Sequence, residues 1–412
     1  MTRVGATTAA IVTNTRGTAV AYDSVNHVYL LVSTMGILQG RFVDGNGAAI
    51  GNPFKIQTSG NFTLFPTVAF SPDVDGGAGG FLVVWHESVL PTLATVNART
   101  VSFGKAGPAG AESVLSVEGS FWEQPPAAAY STVSQEFLVT WTKIGWGVRA
   151  IRTDNAGVPK GAVFTITLTG QYEALSSVAY NPTTNQFLVA WEGWSLAGNF
   201  GFLDARLVQA GVSQLLGAAP TRLMAGGGIF ISDVAYNPVT NQFLVAWYRD
   251  AGGSAKAMLG RLVNADATLP GNVIALSSIW KSNDALGLAY STRTGTFFMV
   301  SHDGRNSPAS CNCEDGGVEI DRTGTPVDNG IAVTASGDGK PNFYPRIAAS
   351  ADAPNWLVSA SHNFQYAEVQ LLAGTPSGPP PPPPPAKSAP LMEIDTPSAN
   401  AQVSPKSFLI SG

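Results

Sequence analysis

His86, His302 and His362, three of the four histidines in this 412-residue chain, each follow directly on a short apolar run, namely Phe81-Leu-Val-Val-Trp85, Phe297-Phe-Met-Val-Ser301 and Trp356-Leu-Val-Ser-Ala-Ser361. Imidazole changes charge near neutral pH, so converging histidines could act as general acid and base or hold one divalent ion. With Asp303 or Glu87 beside them the donor set suits zinc or manganese, and calcium less well. Tyr248 stands at the corresponding place after Phe243-Leu-Val-Ala-Trp247 and joins the histidines as a catalytic candidate. Glu87, Glu192, Trp194, Arg249, Asp250, Asp303 and Arg305 fall at or beside that place in their own segments. Arginine there could grip a uronic-acid carboxylate in bidentate geometry. A second group of candidates, Trp122, Tyr172, Trp280 and Tyr344, recurs in segments between repeats. Aromatic platforms among acids, amides and histidines suit a polar ring-shaped ligand, whose apolar faces stack while its hydroxyls are read by polar groups. The plainer alternatives are aromatic wedges in a core and histidines in solvated loops.

What must position these residues is a repeat. Ser177-Val-Ala-Tyr-Asn-Pro-Thr-Thr-Asn-Gln-Phe-Leu-Val-Ala-Trp191 returns almost letter for letter as Asp233-Val-Ala-Tyr-Asn-Pro-Val-Thr-Asn-Gln-Phe-Leu-Val-Ala-Trp247. Weaker copies begin near Val20, Val68, Ala128, Leu288 and Ile347, which makes seven, about 48 to 60 residues apart. Each copy reads as two apolar runs joined by a turn, then a third run such as Gly260-Arg-Leu-Val263 and a fourth such as Asn272-Val-Ile-Ala-Leu276. Four short strands per repeat predict an all-β, seven-bladed β-propeller of four-stranded antiparallel blades. Phe187-Leu-Val-Ala-Trp191 is apolar on both alternating faces, as a strand covered on both sides requires. In such a blade the residues after the second strand and those between blades share one face of the disc.

The seventh copy runs into Gly374-Thr-Pro-Ser-Gly and a proline run, Pro379 to Pro385, with no fourth strand left. Thr7 to Thr13 precedes the first copy and belongs to no blade of its own. It is therefore expected to pair beside Ala367–Leu372 as the outer strand of the last blade and to close the ring. The expected organisation is a propeller over residues 1–374, an extended proline-rich linker over 375–390, and a tail over 391–412. The tail resembles the opening of a bacterial immunoglobulin-like domain, the alternative being a disordered segment. Such an arrangement implies a monomeric propeller within a longer multidomain protein.

Composition narrows the function classes. Net charge is −5 with no basic run, so nucleic-acid binding has little electrostatic support. No apolar stretch reaches the length of a membrane span. The two cysteines, Cys311 and Cys313, leave a loop disulfide, free thiols or half of a metal site open, and exclude a disulfide framework. Asp73-Val-Asp75-Gly-Gly could bind calcium but reads better as a turn. The arginines of the third strands, Arg41, Arg99, Arg206 and Arg261, recur and are expected to tie blade to blade. The last two copies replace them with Glu319 and Glu368, and replace the repeat tryptophan with Ser301 and Ala360. Local departures from a consistent pattern mark functional sites, which directs attention to those two blades.

The repeat resembles those of secreted bacterial seven-bladed propellers of the lectin and polysaccharide-lyase kind, over about nine-tenths of the chain. The Trp-Asp dipeptide of WD repeats, the paired glycines of kelch blades and the Ser-x-Asp-x-Gly-x-Thr-Trp box of sialidases are all missing. Some seven-bladed lyases acting on pectic fragments hold a metal by histidine on the disc face, which is what the resemblance implies for His86, His302 and His362. It also implies an extracellular or cell-surface carbohydrate-recognising protein, a polysaccharide lyase or glycoside hydrolase acting on acidic glycans. The alternative is a non-catalytic adhesion module for protein or glycan partners.

Overall fold

The computed structural model describes residues 1–376 apart from 12–14, 91–92, 118–124, 144–146, 168–171, 196–199, 251–255, 278–285, 303–314 and 335–341. The strands form seven antiparallel sheets, each running from a first strand near the axis to a fourth at the rim. The chain is thus a seven-bladed β-propeller. Its first strands are Gly17–Asp23, Phe62–Ser71, Ala127–Ser131, Tyr172–Asn181, Gly228–Asn237, Leu286–Ser291 and Asn342–Ala349. Each touches the first strand of the next blade around the ring.

Closure follows the expected route. Thr2–Ile11 pairs with Tyr366–Ala373 in the register Arg3↔Leu372, Thr8↔Val369 and Ile11↔Ala367. The pairing starts earlier than Thr7, and residues 12–13 lie outside the described ones. The expected linker and tail beyond residue 376 also lie outside them.

The core is divided into seven apolar clusters, one at each blade interface. Alternation along Phe187–Trp191 explains the doubly apolar strand. Phe187, Val189 and Trp191 pack on Leu138, Val148 and Ile166 of the third blade, while Leu188 and Ala190 pack on Val245 and Trp247 of the fifth. Burying both faces removes more apolar area from water than a one-sided sheet would.

The repeated Asn-Pro-x-Thr-Asn is a turn with a second task. Asn181 Oδ1 accepts the Thr183 and Thr184 amides at 2.8 and 3.3 Å. Asn185, at φ 53°, takes the left-handed conformation that asparagine tolerates. Its side chain accepts Tyr180 Oη and Ser131 Oγ, each at 2.9 Å, and donates to Ser134 Oγ at 2.9 Å. Both serines belong to the preceding blade. Asn241 repeats this with Tyr236 Oη at 2.9 Å and Asn181 Nδ2 at 2.8 Å.

The third-strand arginines do tie blades together. Arg41 donates to Ala10 O at 2.6 Å, Arg99 to Ile56 O at 2.7 Å and Arg261 to Leu223 O at 2.7 Å, each carbonyl lying in the preceding blade. Arg206 instead reaches Gly217 O of its own blade at 2.8 Å. The Asp73/Asp75 loop is a turn whose carboxylates are taken. Asp73 accepts Tyr130 Oη at 2.5 Å, and Asp75 accepts Ser102 Oγ at 2.9 Å.

Candidate functional site

The second strands Gly80–Leu90, Thr296–His302 and Asn355–His362 bring their histidines to equivalent places at one end of the blades. All three therefore belong to the same face of the disc. They are not loop side chains, because strand pairing extends through them as Leu64↔His86, His302↔Asp315 and His362↔Asn342. Each is buried.

His302 and His362 belong to one polar network across the sixth and seventh blades. His302 Nδ1 lies 3.7 Å from Asp315 Oδ1, and Asp315 Oδ2 accepts Thr334 Oγ1 at 3.0 Å. Asn342 Nδ2 donates to Thr334 Oγ1 at 2.6 Å, and Asn342 Oδ1 lies 2.8 Å from His362 Nδ1. Glu368, which replaces the repeat arginine, lies 3.7 Å from that nitrogen. Among the described residues no group of three or more His, Cys, Asp or Glu side chains gathers as an ion would need. Of the expected metal set, His302 and His362 belong to this network, His86 and Glu87 to the second blade, and Asp303 lies outside the described residues, so the described donors do not gather around one ion.

The remaining expected residues divide by burial. Glu87 is buried and clamped by Asn61 Nδ2 at 2.7 Å, Asn97 Nδ2 at 3.1 Å and Trp85 Nε1 at 3.3 Å. Glu192 is buried on the side facing the fifth blade, opposite Leu203. Tyr248 is buried in the cluster between the fifth and sixth blades. Arg249 and Asp250 are half-buried where the fifth blade's second strand ends. Trp122, Trp280, Asp303, Arg305, Cys311 and Cys313 lie outside the described residues.

Two aromatic rows run across neighbouring blades at this face. Exposed Tyr172 pairs across strands with Trp194, whose ring lies 5.9 Å from Phe230, itself 6.2 Å from Tyr248. The other row runs from His302 to Phe343 (5.5 Å, near-parallel), Phe364 (4.3 Å, near-parallel), Tyr344 (6.5 Å) and Phe65 (5.1 Å). The sequence pointed to five of these rings, Tyr172, Trp194, Tyr248, His302 and Tyr344. Phe65, Phe230, Phe343 and Phe364 were missed, since nothing in their spacing separates them from core phenylalanines.

The first strands enclose an axial cavity of about 180 Å³. One repeat position lines it from six blades as Ala19, Thr67, Ala127, Ser177, Asp233 and Arg346. The sixth blade has Gly287 there, as the shared register against Val300 shows. At the mouth Phe65, Leu175 and Tyr344 have φ of 45°, 50° and 54°, each within a β-bulge of its first strand. Bulky residues are rare in that conformation, and of the three Leu175 lines the cavity.

Asp233 and Arg346 flank the sixth blade's first strand from either side. Asp233 accepts the amides of Leu288 and Val234, each at 2.8 Å, and Arg346 Nη1 donates to Leu286 O at 3.0 Å. Burial pushes the Asp233 carboxyl up to about 6 despite those amides and the nearby guanidinium. Gly287 makes room, because a Cβ there would lie 3.2 Å from Arg346 Cα. The signal was present in the sequence: the two near-identical repeats differ in their first letter, Ser177 against Asp233.

A further buried carboxyl lies between the third and fourth blades. Glu173 accepts Trp191 Nε1 at 3.2 Å, and burial pushes its carboxyl up to about 7. Asp204, on the same sheet face, pairs with Arg222, whose guanidinium lies 4.3 Å from the Phe202 ring centre. Trp85 and Glu87 form the equivalent contact in the second blade, so the Glu173–Trp191 pair is first a packing device.

No family model and no curated protein matches the sequence. Among solved structures the chain is similar to the GH93 α-L-arabinofuranosidase of Fusarium graminearum in complex with arabinobiose, at TM-score 0.52 and 8% identity over 90% of this chain and 98% of that one. A mutant of that arabinofuranosidase with an iminosugar inhibitor gives TM-score 0.53 at 8% identity, covering 90% of this chain and 98% of the other. The Hadza microbial sialidase Hz136 gives TM-score 0.50 at 8% identity, over 84% of this chain and 74% of that chain. These neighbours are glycoside hydrolases, and what this chain shares with them is the propeller fold.

Proposed function

We propose that this protein is an extracellular carbohydrate-recognising propeller that engages a glycan on the face bearing the aromatic rows. The observation that carries the reading is the row Phe343, Phe364, Tyr344 and Phe65 beside a polar axial cavity. Rings stack on the apolar faces of sugars, and polar groups set deeper read the hydroxyls. Glycoside hydrolases built on the same fold support it, without naming a substrate. In the finer form, Arg249 at the rim of the fifth blade pairs with the carboxylate of an acidic glycan. Polysaccharide lyase and glycoside hydrolase are the enzymatic versions.

Affinity gels containing pectic, arabinan and other polysaccharides test the binding. Migration should be slowed by at least one of them, and Tyr344→Ala with Phe364→Ala should restore free migration. Unchanged migration in every gel would overturn the reading. New reducing ends or unsaturated products would distinguish an enzyme from a non-catalytic adhesion module.

A further inference from the structure

We propose that the axial cavity is a binding site for one uncharged sugar ring, read by Asp233, Arg346, Ser177 and Ser232. This rests on the carbohydrate reading above and adds which part of the ligand enters the axis.

Asp233 and Arg346 already serve the sixth blade, so their presence alone would mean only that a strand edge is satisfied. Two observations go further. Ser177 is 5% exposed, lines the cavity, and its hydroxyl has no hydrogen-bond partner among the described residues. Ser232, one blade on, also lines the cavity with a hydroxyl that meets no partner among the described residues. Leaving a buried hydroxyl unmet is costly, so such groups normally meet a ligand or water. The charged pair also has capacity to spare. A carboxylate offers about four acceptor sites, of which Asp233 uses two, and Arg346 engages its carbonyl partners, Leu286 and Pro345, through Nη1.

The chemistry of the ligand follows from this set. The carboxylate and guanidinium offset each other, so the ring of seven positions has no net charge to attract an ion. Two neighbouring hydroxyls on a sugar match it, one donating to Asp233 and the other accepting from Arg346. The serines can each donate and accept. Half-buried Tyr344, its ring backed by buried Phe65 at 5.1 Å, offers an apolar face to the rest of the glycan. A charged sugar group is therefore kept outside, at the rim.

The test uses the full chain, the polysaccharide it retains in affinity gels, and methyl glycosides of neutral pentoses and hexoses as competitors. Ala127→Leu adds bulk to the cavity from the third blade. The double variant Ser177→Ala/Ser232→Ala removes both hydroxyls without adding bulk. The proposal expects one methyl glycoside to compete with the wild type, Ala127→Leu to abolish that competition, and the serine double variant to weaken it about tenfold. Unchanged melting temperatures would show that the variants are folded. If the polysaccharide is retained and both variants bind it and the competitor like the wild type, the axial site is wrong and the carbohydrate reading stands. If the wild type retains no polysaccharide and binds no glycoside, the carbohydrate reading fails, and the axial site fails with it.

Discussion

His302 and His362, contributed by neighbouring blades, are joined through buried Asp315, Thr334 and Asn342, with Asn342 Oδ1 2.8 Å from His362 Nδ1. The two imidazoles thus share one polar seam in the blades that abandon the repeat tryptophan. Ser301 and Ala360 leave room where Trp85, Trp141, Trp191 and Trp247 fill the second to fifth blades.

Asn342→Ala breaks this seam at its middle. It leaves Thr334 and His362 without their shared partner in a buried site, at a cost of about 1–3 kcal/mol. Thermal or urea unfolding should show that loss, and a change within error would mean the seam contributes nothing net.

Deleting residues 1–11 removes the outer strand of the seventh blade and exposes the edge of Tyr366–Ala373. A ring propeller opened at its joint should lose stability cooperatively, as one transition at lower temperature. Retention of the full-length melting temperature would show that closure does not depend on this strand.

Glu173 should make stability depend on pH. Its carboxyl is raised from 4.5 to about 7 by burial, so its contribution is fully present below pH 4.5 and is lost as pH rises through 7. Glu173→Gln removes that dependence while keeping an acceptor for Trp191. The variant should therefore gain on the wild type between pH 5 and 8, by about 1–2 kcal/mol at the upper end. Parallel stability curves for the two proteins over that range would refute the assignment.

Gly287→Ala probes the space that Asp233 and Arg346 share. The new methyl would lie 3.0 Å from Val300 Cγ1 and 3.2 Å from Arg346 Cα, and backbone cannot yield cheaply. The expected loss is about 1–3 kcal/mol in chemical unfolding, with weakened glycan retention. Wild-type stability would place the sixth blade's first strand farther from the seventh.

The fold was legible because a propeller is written in local periodicity. Apolar runs, turn residues and a seven-fold repeat are properties of neighbours in the chain, and the need to cover both faces of Phe187–Trp191 already implied stacked blades. The arginine ties were legible for the same reason, since a residue repeated at one position has one packing task. Placing the histidines on a common face needed only the alternation of strand direction.

Convergence toward the axis could not be read that way. Whether Asp233 and Arg346, 113 residues apart in sequence, flank one strand depends on the fifth and seventh blades packing against the two sides of the sixth. Phe343 and Phe364 look like core residues until the bulge at Tyr344 turns the strand and stacks their rings. The sequence alone determined seven blades, their strands and the face to examine, because these rest on short-range pattern. Only the tertiary structure decided which side chains share a cavity and that His302 and His362 are buried in one network, because both depend on distances between residues of different blades.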